Sequence, residues 1–309
     1  MAGVRFYGRL LPLTNCLAYG TRQAAVTALK MSFESLKKRF SQARYLSLDV
    51  ALGAVVSAWA IWKLPDGQQV PSGLSILVLG LAVLVIYTLD RLLDVRKADQ
   101  PATPRHAFHA QHQALLWKIL IGVAATAFLL SYLIPSAVAF FGLKLAGLVA
   151  IYLFLVSRLP HRNAAQYAKE PVTALLYAAG VWGPVFAMHS PAGWTDWTLC
   201  AMFGGVALQN LLLFSLYEAR LMPGANNLST RWGAGFSADV LMVVFLLVSV
   251  GGVFIGIWAD FPYQRRMSLV IWAMSGILWG MTFRKDFFAR NERYRWLGDG
   301  VFLLMGLLL

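Results

Sequence analysis

Charge is scarce in this chain, and acid scarcer than base. Only 13% of its 309 residues are Asp, Glu, Lys or Arg, against roughly 25% in a soluble domain. With 59% hydrophobic residues and a mean hydropathy of +0.61, a water-soluble fold is excluded and an all-α, polytopic membrane protein is implied. Cysteine is almost absent: Cys16 and Cys200 stand far apart, which excludes a disulfide framework and a cysteine-ligated zinc site. Low-complexity segments, internal repeats and a soluble domain are missing as well. The 14 acids face 27 bases, a formal net charge of +13. Those bases are not gathered in a soluble domain, so they point to membrane topology and anionic lipid headgroups, and nucleic acid is not an expected partner.

What is there is a series of apolar runs. Cutting them at membrane-spanning length places nine spans, near 46–64, 74–93, 115–134, 136–157, 170–189, 197–219, 237–259, 267–283 and 296–309. The last is short and contains Asp299. Between these spans the bases alternate. The first 45 residues, the loops after spans two, four, six and eight and the span ends adjoining them carry 23 Lys and Arg, the opposite side three, and Lys144 lies within span four. By the positive-inside rule the N-terminus faces the cytoplasm, most simply across a bacterial inner membrane. Residues 1–45 have one acid, Glu34, among eight bases. They read as a basic arm on the lipid surface, as an organellar leader, or as an extension ahead of a true start at Met31. Residues 1–30 are therefore expected to be dispensable, and 46–309 forms the membrane domain.

The longer, charged loops fall on the inner side, so chemistry is expected there. Span two ends in "YTLDRLLDVRK", with Asp90 and Asp94 one helical turn apart and Arg91 beside them. The following loop adds Arg105, the next brings Arg158, Lys169 and Glu170, and span six ends with Asn210, Tyr217 and Glu218. Two carboxylates at i and i+4 can hold Mg²⁺, a hard cation that bridges to phosphate oxygens while Arg and Lys neutralise the rest. Above an apolar bundle, such a site suits a lipid diphosphate. Spacing alone equally permits a solvated helix end where the two acids merely pair with nearby bases.

"YTLDRLLD" resembles the first aspartate-rich motif of the UbiA-type membrane prenyltransferases. Asp90, Arg91 and Asp94 match, while Ile86 and Tyr87 stand where that motif has Asn and its first Asp. "YEARLMPGANNLSTRWG" resembles the second motif in place and in its closing Gly224 to Gly233, with Glu218 as its one acid. "KEPVTALLYAAGVWGP" from Lys169 resembles the family's fifth span. The resemblance covers most of residues 45–309 and implies a nine-helix bundle with a cavity open to the inner leaflet. It implies that an isoprenoid chain moves from its prenyl diphosphate to an aromatic, quinonoid or other hydrophobic acceptor. Asp90, Asp94 and Glu218 would then hold Mg²⁺. Arg91, Arg105, Arg158 and Lys169 would grip the diphosphate, Asn210 would contact the substrate, and Tyr87 and Tyr217 would face the developing cation.

The thinned acidic motifs also fit a UbiA-like protein that binds lipid without turnover, and polar residues within spans fit a transporter. His106, His109 and His112 offer a metal at helical spacing or ordinary surface contact. Lys144 lines a cavity or snorkels to an interface. Asp49 and Asp239 suit helix starts, and Trp182 is a candidate to face substrate.

Overall fold

The apolar runs become helices that divide by how much each one buries. In this computed structural model the described residues are 46–95, 104–158, 167–188, 193–222 and 227–309, with no side chains for 104–106. The expected basic arm over 1–45 lies outside them. The described helices are α1 (Leu48–Trp62), α2 (Gly73–Val95), α3 (Pro104–Gln111), α4 (Gln113–Ser131), α5 (Ser136–Arg158), α6 (Lys169–Met188), α7 (Trp194–Leu221), α8 (Leu228–Trp232), α9 (Ala234–Trp258) and α10 (Pro262–Gly280). Short helical pieces follow, including α11 (Lys285–Ala289) and α12 (Arg293–Gly300), ending in a 3-10 stretch, Val301–Leu308. No strand occurs among the described residues.

Seven of these helical runs are long and apolar enough to cross a membrane. In the apolar window of α7, 61% is buried, against 11% in α4 and 17% in α5 and α9. α7 is accordingly the hub, packed against α6, α8, α9, α10 and α12. The apolar faces left on α4, α5 and α9 suit lipid, because hydrocarbon costs them nothing. Where α7 passes its neighbours, Gln209 is fully buried and satisfied at both ends. It donates to the Leu241 carbonyl at 3.0 Å and accepts from the Ser275 hydroxyl at 2.5 Å. One amide thus ties three helices where water is absent.

One span is shorter than expected, and the last two are joined in one helical run. α1 has only 15 residues, a rise of about 22 Å, shorter than the stretch expected over 46–64. The expected spans 267–283 and 296–309 fall in one helical run, Pro262–Leu308. That run doubles back. The Tyr263 hydroxyl donates to the Ala60 carbonyl at 2.7 Å, and Lys63 Nζ donates to the Leu309 carbonyl at 3.1 Å. Its two ends therefore lie at the same end of the bundle, beside the close of α1. The reversal passes through Asn291 and Glu292, both left-handed at φ 53° and 52°, a conformation that breaks a right-handed helix.

Candidate functional site

One end of the bundle is built from charges placed against their own helix dipoles. Asp90 and Asp94 close α2, Glu218 is near the close of α7, and Lys169 opens α6. A carboxylate at a helix C-terminus or a cation at an N-terminus is disfavoured by about 0.3–1 kcal/mol. Contacts between helices offset that cost. Lys169 Nζ sits 3.6 Å from Asp90 Oδ1 and 3.7 Å from Asp94 Oδ2, bridging two carboxylates one turn apart. Arg91 Nη1 lies 3.6 Å from the same Asp94 oxygen. Behind Lys169, the Tyr152 hydroxyl bonds with Thr173 Oγ1 at 3.1 Å, fastening α5 to the first turns of α6.

Glu218 has a separate partner. It pairs with Arg295 of α12, whose Nε also donates to the Tyr294 hydroxyl at 3.2 Å. Tyr294 in turn stacks on Tyr217, with ring centres 4.6 Å apart and planes 13° apart. Tyr217 is buried and donates to the Met281 carbonyl at 2.8 Å. It therefore shapes the wall that carries Arg295, where sequence reasoning expected it to face a cation.

Between the two ionic groups lies a narrow cleft of about 60 Å³. Arg91 and Arg295 line it with Tyr87, Asn210 and Asp299. Rings of Tyr177, Phe214 and Phe302 supply apolar wall. Asn210, only 4% exposed, donates to Asp299 Oδ1 at 2.9 Å. Its own Oδ1 has no hydrogen-bond partner, nor do the buried Arg91 Nε and Tyr177 hydroxyl. Buried polar atoms are almost always satisfied, and all three of these residues line the one cleft. Gly298 permits this geometry. A Cβ there would fall on Asn210 Oδ1 and 2.7 Å from Phe214 Cε1.

Of the residues expected from sequence, Tyr87, Arg91 and Asn210 line the cleft, and Asp90, Asp94 and Lys169 form one ionic group with Arg91. Arg158 stands exposed at the end of α5, its guanidinium 5.1 Å over the Phe154 ring. The Arg105 side chain is outside the described residues, as is that of His106. His109 is buried, and His112 Nδ1 lies 2.9 Å from the Phe108 carbonyl. Lys144 is on the exposed face of α5 and Asp239 on that of α9. Asp49 Oδ1 accepts from the Val50 amide at 3.0 Å. Trp182 is core, packed on Phe186 and Phe203.

The expected Mg²⁺ ligands do not assemble as a set. Among the described residues no three His, Cys, Asp or Glu side chains come together in a group able to hold a metal. Each of the three motif acids instead meets a base. Arg295, Tyr177 and Asp299 were not chosen as site residues from sequence. No family model matches the chain, and no curated protein or solved structure matches it.

Proposed function

We propose that the chain is a UbiA-like membrane prenyltransferase that moves an isoprenoid chain from its diphosphate to a phenolic or quinonoid acceptor. In this reading α1 and the two arms of the Pro262–Leu308 run bring the seven apolar runs to nine spans. The functional end then faces the cytoplasm, as the distribution of bases implies. One observation carries the reading: a cleft with two guanidiniums on its wall and aromatic rings around it. An anionic head on an apolar tail is the ligand class that satisfies both surfaces.

The chemistry asked of these residues is electrostatic. As the carbon–oxygen bond of the donor breaks, its electron pair leaves with the diphosphate, and Arg91 and Arg295 stabilise the growing negative charge. The rings of Tyr87, Tyr177, Phe214 and Phe302 face the allylic carbon as it becomes positive. The acceptor forms the new carbon bond and gives up a proton to Asp299, which Asn210 orients. The orphan Asn210 Oδ1 and Tyr177 hydroxyl are placed to bond a hydroxyl or carbonyl on the acceptor.

The test is binding of farnesyl and geranylgeranyl diphosphate to purified protein in nanodiscs, with pyrophosphate and farnesol as competitors. Saturable binding that pyrophosphate displaces supports the reading, and absence of binding ends it. A second reading, lipid-diphosphate binding without transfer, is favoured by the engagement of every motif acid by a base. Release of pyrophosphate in the presence of phenolic and quinonoid acceptors separates the two.

A further inference from the structure

We infer that Asp90, Asp94 and Glu218 hold three resident cations, Lys169, Arg91 and Arg295, and that these make the anion site independent of metal. This inference rests on the proposed diphosphate reading of the cleft.

Three observations converge on it. Lys169 Nζ occupies the position between Asp90 Oδ1 and Asp94 Oδ2, at 3.6 and 3.7 Å, where one cation is shared by both carboxylates. A second cation entering there would have to displace an ammonium already neutralised by two acids. The helix-end placement is the second observation. Acids at C-termini and a lysine at an N-terminus each oppose the local dipole, and each supplies the opposite charge that the other's position calls for. Third, the arginines held by these acids also line the cleft, and Arg91 Nε is buried there without a partner. A guanidinium has five N–H donors. One edge can rest on a carboxylate while another meets a phosphate oxygen. The acids thus act as positioning residues, fixing the direction of groups that would otherwise be free to rotate.

Two measurements on the full chain in nanodiscs test this. Farnesyl diphosphate binding is compared in EDTA and in Mg²⁺, and Mn²⁺ binding is followed by loss of the free-ion electron paramagnetic resonance signal. The wild type should bind farnesyl diphosphate with affinities within about threefold in the two buffers, and should take up no stoichiometric Mn²⁺. Lys169→Gln removes the cation shared by Asp90 and Asp94 and leaves Arg91 on Asp94. It should weaken binding in EDTA by about tenfold or more, recover part of it in Mg²⁺, and take up about one Mn²⁺ per chain. Lys169→Arg keeps the charge and should remain metal-independent. Stoichiometric Mn²⁺ uptake by the wild type, or a loss of about tenfold in its affinity on adding EDTA, overturns the inference and leaves the prenyl diphosphate reading standing. Unchanged binding in Lys169→Gln in EDTA also overturns it. Failure of the wild type to bind farnesyl diphosphate in either buffer removes the reading itself. The wild-type measurements decide the matter even where a variant does not fold.

Discussion

At the scale of single residues, the pair Glu218–Arg295 joins the cleft wall to stability. Both side chains are partly buried, at 26% and 16% exposed, so neither behaves as a freely solvated surface charge. Arg295→Met leaves Glu218 facing aromatic rings without its counter-ion. It should cost about 1–3 kcal/mol, between the surface and buried limits for broken pairs. Glu218→Gln keeps an acceptor for the guanidinium and should cost less. The double variant should be less destabilised than the sum of the singles. Thermal unfolding in detergent of all three reads this, and strict additivity would show that the two side chains are uncoupled. Gly298→Ala tests the other side of the cleft. Its Cβ must displace Asn210 and Phe214, which should cost about 1–3 kcal/mol by overpacking and weaken farnesyl diphosphate binding. Asp90, Arg91, Asp94 and Asn210 were legible in sequence because unusual polar residues at span ends stand out from apolar runs. Arg295 was hidden among Arg290 and Arg293, where it reads as another inner-side base. Its partner lies 77 residues away, and only tertiary structure brings them together.

Among elements, the short α8 ties the close of α7 to the start of α6. Asn227 caps α8 by accepting from the Thr230 amide at 2.9 Å, and its own amide donates to the Ser215 carbonyl at 3.1 Å. Glu170 Oε1 accepts from the Leu228 amide at 3.0 Å. Gly233 then turns the chain into α9 at φ +83°, a region that a side chain resists. Asn227→Ala loses both the cap and the tie to α7. A cost of about 0.5–2 kcal/mol in thermal unfolding is expected from the cap, with Asn227→Asp retaining the acceptor and most of the stability. Equal losses in the two variants would show that the cap contributes nothing. Sequence placed the long elements well, since α2, α5, α6, α7 and α9 overlap the expected spans closely. It overestimated the length of α1, and it expected the reversal between spans 267–283 and 296–309, where Asn291 and Glu292 break the helix. Hydropathy averages over a turn or more, so it places the reversal in this charged stretch without locating it at the left-handed backbone of Asn291 and Glu292.

For the whole molecule, contacts between distant elements fix which helix ends lie together. Lys169 on Asp90 and Asp94, Glu170 on Leu228 and Tyr217 on Met281 gather one end. Gln264 donates to Thr195 and Asp196 at 2.9 and 3.0 Å, and with Tyr263 on Ala60 and Lys63 on Leu309 it gathers the other. Among the described residues the bases concentrate at the first end, so the same division follows independently from charge. Single cysteines at Gln100 and Ala192, in a background with Cys16 and Cys200 replaced by Ser, should therefore be labelled from opposite faces of sealed vesicles. A cysteine appended after Leu309 should label with Ala192, because the last helical run returns to the end where it began. If it labels instead with Gln100, the run crosses once and the carbonyl of Leu309 cannot meet Lys63. That result would also separate Arg295 and Asp299 from the cleft, since both lie on the returning arm.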